Sequence, residues 1–533
     1  MPRKSWALAL FGALVMLLAL GGGCKCSRTP APTSATGPAP SVRLYLVSSV
    51  AGALEPCGCV QDMLGGVDHF ASLLARDASV PHLLLGAGPL LFKDPVPDAK
   101  ERDQDVLKAR AIGEVMAGLK LAGWAPGAND WAGGPELLGE ITKDRLAVFG
   151  ANLDEGFTKT RVFSVGSERV GVVGVSTPSI VKGVPASDPR AALAAGLAAL
   201  RAEGARIFVA LAAMPRGEAL RVAEAVPGFH VMLIGKPVDR GEANDVPTPP
   251  LEVGKTLVVE APNHLQSVAV VDLFVKGGKY AFADGSGIAR EERRTSLLGR
   301  KRDLQTALGR AGISSADRAA RRKDLEGVEA ELVKLAEPTP LPEGSAFRYE
   351  LVEVREKLGG DAATAARLAA YYKAVNEHNR QAFMSVLPAP APPGESGYVG
   401  ADACSGCHAS EREFWDRTPH HSAYATLARQ NKEFNLECVG CHVTGYEAPG
   451  GSTVAHVDGL QAVQCEVCHG PGSRHADKPK EPGLVTIPER SLCAAKCHHP
   501  PHVHADWNVD FAWPVIVGKG HERTAKDAGK KGG

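Results

Sequence analysis

The sequence predicts a multidomain chain: an α/β domain, a helical hairpin spacer, and a mostly α or irregular unit built around bound cofactors. Three observations carry this reading. From residue 42 to about 290, short apolar runs alternate with longer Ala/Leu helical patterns. Next, Leu297, Leu304 and Leu308 and then Leu325, Val328, Leu332 and Leu335 recur at heptad-like spacing on either side of a break at Gly312–Ser315. Finally, 8 of 12 cysteines and 12 of 17 histidines follow residue 400. A chain of 533 residues exceeds one compact domain. Lys+Arg and Asp+Glu each number 60, so no charge excess points to nucleic acid.

The N-terminus predicts the compartment. Arg3 and Lys4 precede an apolar run from Trp6 to Leu20, followed by Gly21-Gly22-Gly23-Cys24. That is a secretory signal layout. The small residues before Cys24 resemble a bacterial lipobox, with Gly21 where Leu is usual. The resemblance implies a signal peptide over residues 1–23, lipidation at Cys24, and an exported protein, periplasmic or anchored to a membrane by lipid. Alternatives are an uncleaved anchor, for which the run is short against the about 20 residues of a span, or cleavage near Cys26. Residues 24–41 read as a flexible tether rich in Pro, Thr, Ser and Ala.

In the α/β domain, residues 42–290, strand-like runs are Arg43–Val47, Leu83–Leu85, Ala147–Phe149, Arg161–Val165, Val170–Val175, Ile207–Leu211, Val231–Ile234 and Thr256–Glu260. Arg190–Glu203 is a representative helix. Residues 291–387 read as a spacer, with a strand-like alternation at Phe347, Tyr349 and Leu351 and a helix over Ala362–Phe383. A Pro-rich linker follows at 388–396, then the cysteine-rich unit at 397–525 and a disordered tail at 526–533.

That unit contains Cys404-Ser-Gly-Cys407-His408, Cys438-Val-Gly-Cys441-His442 and Cys465-Glu-Val-Cys468-His469. Covalent haem attachment needs two thiols about one helical turn apart, with the adjacent histidine beneath the iron as proximal ligand. Zinc sites and disulfides also use paired cysteines, but neither explains a histidine after every second one. Cys493-Ala-Ala-Lys-Cys497-His498 is one residue wider and is expected to hold a fourth haem c, the alternative being a structural disulfide beside an idle histidine. With haem, His498 is its proximal ligand, beside His408, His442 and His469. Among the further histidines, His420, His475 and His521 are the candidate distal ligands. His456, in a Gly-rich loop, is read as a bystander. With few long apolar runs here, the porphyrins themselves would form the core.

From Tyr398 to His521 the sequence resembles the tetrahaem cytochromes that accept electrons from hydroxylamine oxidation. The matching strings are Tyr398-Val-Gly-Ala-Asp-Ala-Cys404, Thr418-Pro-His420, Glu437-Cys438 through Tyr446, Val463-Gln-Cys465 through Ser473, and Trp513-Pro-Val-Ile516. The resemblance implies four closely packed haems passing single electrons; the wider fourth motif departs from it.

Residues 42 to about 284 resemble the metallophosphatase domain of periplasmic 5′-nucleotidases and cyclic phosphodiesterases, which implies a four-layer α/β sandwich. The resemblance rests on Gly52-Ala-Leu-Glu55-Pro56, Gly65-Gly66-Val67, Leu83 through Gly88, Gly127-Ala-Asn-Asp-Trp131, Gly134 through Leu138, Phe149-Gly-Ala-Asn152-Leu153 and Val170 through Val175. That family hydrolyses phosphoesters with two metals. At the matching ligand positions stand Ser49, Ala51, Pro89, Ala128, Asn129, Ala213, Lys236 and Val238, with Asp130 as the one remaining acid. No divalent metal pair is therefore expected. Cys57 and Cys59 occupy the same rim, followed by His69. The two thiols could form a disulfide, ligate a metal or act in redox exchange. His69 is read as a packed helix residue.

The expected function is extracytoplasmic electron transfer, with redox proteins of the periplasm or outer membrane as partners and no catalytic residues. The alternatives are a haem enzyme acting on a small nitrogen or sulfur species, and a nucleotidase carrying a cytochrome tail.

Overall fold

The first strand, β1 (Val42–Ser48), reads Val-Arg-Leu-Tyr-Leu-Val-Ser, and its alternate side chains enter two different apolar clusters. Tyr45 and Val47 join one, Leu44 and Leu46 the other. A strand buried on both faces needs this near-continuous apolar run, because each face meets another layer. The structure is a computed structural model describing residues 39–56, 62–154, 156–177, 184–239, 243–308, 314–336, 342–480, 483–485, 488–499, 502–503 and 507–517. The expected signal peptide, most of the tether, Cys24, the C-terminal tail, Cys57, Cys59 and His521 lie outside the described residues.

The remaining strands are β2 (His82–Gly88), β3 (Leu121–Pro126), β4 (Thr160–Val165), β5 (Glu168–Ser176), β6 (Ile207–Ala213), β7 (Val231–Ile234), β8 (Leu251–Val253), β9 (Thr256–Val259), β10 (Ser267–Phe274), β11 (Ala283–Asp284) and β12 (Ala346–Glu353). They form two mixed six-stranded sheets, ordered β11-β12-β10-β1-β2-β3 and β4-β5-β6-β7-β9-β8. In the first, β1 and β2 are parallel with Leu44 opposite Leu83, and β10 returns antiparallel on the other side of β1.

The helices are α1 (Val67–Arg76), α2 (Arg102–Gly118), α3 (Pro135–Thr142), α4 (Pro189–Ala202), α5 (Arg216–Ala225), α6 (Ile288–Leu308), α7 (Ser315–Leu335) and α8 (Ala362–Ala382). Three buried clusters fix the layer order. Tyr45, Val47, Leu84 and Trp124 pack with Phe70, Ile112, Met116, Leu138, Leu368 and Val375 of α1, α2, α3 and α8. Leu44, Leu46 and Leu85 meet Val172, Val209 and Leu211 between the sheets. Val173, Ala210 and Met232 pack with Leu193, Leu197 and Val222 of α4 and α5. The result is helix, sheet, sheet, helix. Each fully buried Leu, Val or Phe contributes about 2 kcal/mol.

Two sequence expectations change. Ala147–Phe149 forms only isolated bridges, Trp124 to Val148 and Phe149 to Thr158. The Phe149 side chain enters the inter-sheet layer beside Gly123 and Gly174, where an added Cβ would lie 2.5 Å from it in either case. Packing, not ladder extension, therefore sets that backbone.

The expected spacer at 291–387 divides. Its hairpin packs on itself through Leu297, Leu304, Leu325, Val328, Leu332 and Leu335, and Ser314 caps α7 by accepting from the Asp317 N–H at 3.0 Å. The rest returns to the α/β layers: β12 pairs antiparallel along the full length of β10, and α8 buries Leu368, Tyr371 and Val375 against α1 and α2. The hairpin is thus an insertion between β11 and β12. No helix among the described residues is long and apolar enough to cross a membrane.

Beyond α8 the chain forms short helices around a small cluster of Val439, Val443, Val454 and Val457, flanked by Phe383, Tyr424, Phe434, Leu436 and Tyr446.

Candidate functional site

Each cysteine motif begins in or beside a short helical turn. Cys404 lies in the helix Ala401–Ser405, Cys438 caps Val439–His442, Cys465-Glu-Val-Cys-His469 is itself a helix, and Cys493 lies in Ser491–Lys496. In the first motif the Cys407 and His408 N–H groups both donate to the Cys404 carbonyl, at 3.2 and 3.0 Å. In the wider fourth motif the Cys497 and His498 N–H groups both donate to the Cys493 carbonyl, at 3.1 and 2.8 Å. The extra residue is absorbed by a wider, π-like turn, and the histidine still folds back over the first cysteine.

The thiols of different motifs come together. Cys404 lies next to Cys465, and Cys441 next to Cys497. The first motif therefore adjoins the third, and the second adjoins the fourth.

The histidines separate by their partners. The His408 and His475 rings lie 6.3 Å apart, centroid to centroid, and His420 and His498 lie 6.2 Å apart. Two metal–imidazole bonds of about 2 Å, plus about 1.1 Å from each ring nitrogen to its centroid, give roughly 6.2 Å across one iron. Both distances fit a single iron held between two imidazoles. His475 and His420 are both on the sequence shortlist of distal ligands; the structure places each opposite a different proximal histidine.

The other two motif histidines use Nδ1 on backbone carbonyls: His442 on Ala423 at 2.7 Å and His469 on Val485 at 2.6 Å. Such a bond fixes the ring and directs Nε2 toward a metal. Burial pushes His420, His442 and His498 below the ordinary imidazole value, which keeps a ring lone pair available. His456 instead bonds the Met384 carbonyl through Nε2 at 2.8 Å, and His421 stacks edge-on against Trp415 at 4.6 Å. The donor set fits haem: paired thiols, an adjacent imidazole, and opposing imidazoles at bridging distance.

Glu466, inside the third motif, carries a positioning role that its sequence context did not reveal. It is 3% exposed. Its carboxylate accepts from the Val399, Gly400 and Gly472 N–H groups at 3.1, 2.8 and 2.7 Å. Gln464 accepts from the Ala401 N–H at 2.5 Å, and Trp415 Nε1 donates to the Val463 carbonyl at 2.8 Å. These bonds lock the first motif to the third.

The cysteine-rich unit sits against the loops that follow β1 and β2. Glu55 pairs with Lys432 at 2.6 Å. Gln104 Oε1 accepts from Asn379 Nδ2 at 2.8 Å and from the Leu436 N–H at 2.9 Å. Lys100 reaches Glu447 and the Tyr446 hydroxyl. Glu437, just before Cys438, takes Lys108 at 2.5 Å and Lys93 at 3.1 Å.

At the positions that the sequence resemblance would give to metal ligands, Ser49, Asn129, Asp130 and Lys236 bond to the protein itself. Ser49 Oγ donates to the Lys236 carbonyl at 2.7 Å. Asn129 Nδ2 donates to the Lys93 and Val238 carbonyls at 2.9 and 3.2 Å. Lys236 pairs with Asp245 at 2.7 Å. Asp130, the acid singled out from sequence, is fully buried. It accepts from the Leu90, Leu91 and Gly127 N–H groups at 2.9, 2.8 and 2.9 Å, and from Trp124 Nε1 at 3.3 Å. It braces two loops rather than facing a cleft. His69 Nδ1 bonds the Gly359 carbonyl at 2.7 Å.

Residues 403–470 match the family described as cytochrome c554 and c-prime, a family that implies covalently bound haem. Among curated relatives, cytochrome c-554 of Nitrosomonas europaea is 33% identical over 94 residues, 15% of this chain and 40% of that protein. The chain thus spans under half of that relative's length.

The two mixed sheets lie between helical layers as an α/β sandwich. Similar solved structures include a 5′-nucleotidase precursor from Thermus thermophilus, at 20% identity and TM-score 0.43, covering 68% of this chain and 62% of that one. The sulfate thiohydrolase SoxB of the same organism is 16% identical with TM-score 0.44, covering 64% and 62%. The calcineurin-like phosphoesterase YfkN of Bacillus subtilis is 15% identical with TM-score 0.38, covering 56% and 99%.

Proposed function

We propose that the protein is an exported multihaem electron carrier, lipid-anchored through Cys24, whose metallophosphatase-like domain serves as a platform for its own cytochrome unit. The observation that carries this reading is the pair of imidazole couples, His408 with His475 and His420 with His498, at the spacing of one iron each. Bound haem supplies a reversible one-electron couple at each iron. The chain's part is to hold the thioether cysteines on short turns, fix the ring orientations of His442 and His469, and keep His420, His442 and His498 neutral by burial.

The motif pairing supports close haem neighbours, since Cys404 meets Cys465 and Cys441 meets Cys497. All four motifs, including Cys493–His498, are assigned a haem. At the rim, Ser49, Asn129 and Asp130 spend their hydrogen-bonding groups on the protein itself, so we assign no hydrolysis there. Redox proteins of the periplasm or outer membrane are the proposed partners.

The test is the covalent mass of the mature protein together with its pyridine haemochrome. Four haems and a lipid are expected. A mature chain without covalent haem would overturn the proposal. Release of phosphate from AMP, accompanied by a bound metal pair, would restore the hydrolase reading.

A further inference from the structure

The buried charges between the α/β domain and the second cysteine motif are unusual in placement. Glu437 immediately precedes Cys438, the first thioether cysteine of that motif. Both of its oxygens take the Lys108 ammonium, at 2.7 and 2.5 Å, and one also takes Lys93 at 3.1 Å. Lys93 in turn holds Glu101 at 2.6 Å. Both lysines belong to the α/β domain, more than 300 positions away in sequence. The Lys108 side chain is 11% exposed, against 28% for Lys93 and 30% for Glu437.

Among the described residues, Asp105, Tyr371 and His502 also lie near Glu437. Asp105 lies one turn before Lys108 on α2 and is buried. Tyr371 of α8 buries its hydroxyl without a hydrogen-bond partner, close enough to feel Glu437, Asp105 and Cys438. Around the first thioether cysteine of the second motif, then, two cations face Glu437, Glu101 and Asp105 in a partly buried interface. A charge here acts on its neighbours more strongly than at an open surface, because less water screens it.

On the reading that this motif binds haem, we infer that Lys108 and Lys93 set the reduction potential of the haem at Cys438–His442. The α/β domain thereby acts as an electrostatic positioning partner for one haem of the chain. An electron arriving at that haem adds negative charge beside Glu437. The two ammonium groups offset it, and removing either leaves the carboxylate less compensated and reduction less favourable.

The experiment uses the full-length holoprotein and resolves individual haem potentials by spectroelectrochemistry. Lys108→Met keeps the length of the side chain and removes its charge. One haem should become at least tenfold harder to reduce, about 59 mV for one electron, with the haem-to-protein ratio and the other potentials unchanged. Lys108→Arg should restore the wild-type value. Lys93→Met, at the wetter end, should move the same haem in the same direction by less, and it decides the matter should Lys108→Met fail to accumulate. A full haem complement with unshifted potentials, or a uniform shift of every haem, would overturn the inference and leave the haem reading intact. A wild-type chain without haem would instead overturn that reading.

Discussion

Removing His475 should convert one haem equivalent, and only one, from low to high spin. The magnitude follows from geometry. The His408 and His475 centroids are 6.3 Å apart, and those of His420 and His498 are 6.2 Å apart, each close to the roughly 6.2 Å required across a single iron. An iron with imidazoles on both faces is low-spin; losing one leaves an open position. The two couples use different proximal histidines, so His475→Ala and His420→Ala should each yield one equivalent and the double variant two. His456→Ala is the control, since its Nε2 is engaged by the Met384 carbonyl, and it should change nothing. The assay is EPR spin quantitation against total haem from the pyridine haemochrome, repeated with added imidazole, which should restore the low-spin form. A double variant that keeps its low-spin haem while retaining full haem content would refute the ligand assignment.

Three further outcomes are expected. Asp130→Ala should cost about 2–4 kcal/mol in urea unfolding at about pH 5, below the titration of Asp130 in the folded state, because four buried N–H donors lose their acceptor; a change under about 0.5 kcal/mol, with loss of a bound metal, would mean that the residue is a ligand. Glu466→Gln should destabilise the cysteine-rich unit by about 2–3 kcal/mol, since an amide donor then faces backbone donors; limited proteolysis should show cleavage confined to that unit, and cleavage throughout the chain would contradict the local role.

The third concerns pH. Burial raises Asp105 and Asp130 from 3.8 to about 6, so their stabilising contribution is full below 3.8 and fades as pH rises through 6. Glu437 runs the other way. Its lysine partners outweigh burial and hold it at about 2, so its contribution is full above 4.5 and is lost as pH falls toward 2. With the side chain 30% exposed, solvent screening leaves about 1–2 kcal/mol for that group. These three groups together predict an optimum at about pH 3.5–4, read as the urea midpoint against pH. Asp105→Asn should flatten the alkaline side and Glu437→Gln the acid side; variants that track the wild-type curve would refute the assignment.

Local chemistry is legible from residue order alone. Two thiols and a histidine within five or six residues define an attachment turn whatever the rest of the chain does, and even the extra residue of Cys493–His498 is absorbed within that turn. Near-continuous apolar runs likewise made β1, β5 and β7 legible, because a strand between two layers must be apolar on both faces.

Features that depend on distant residues emerge from the folded arrangement. It returned β12 and α8 to the α/β layers across an inserted hairpin, turned Asp130 from a candidate ligand into a brace, and set His475 opposite His408. It also brought Lys108 to Glu437 across 329 positions. Such pairings leave little local pattern, because their energy comes from burial that exists only once the layers have closed.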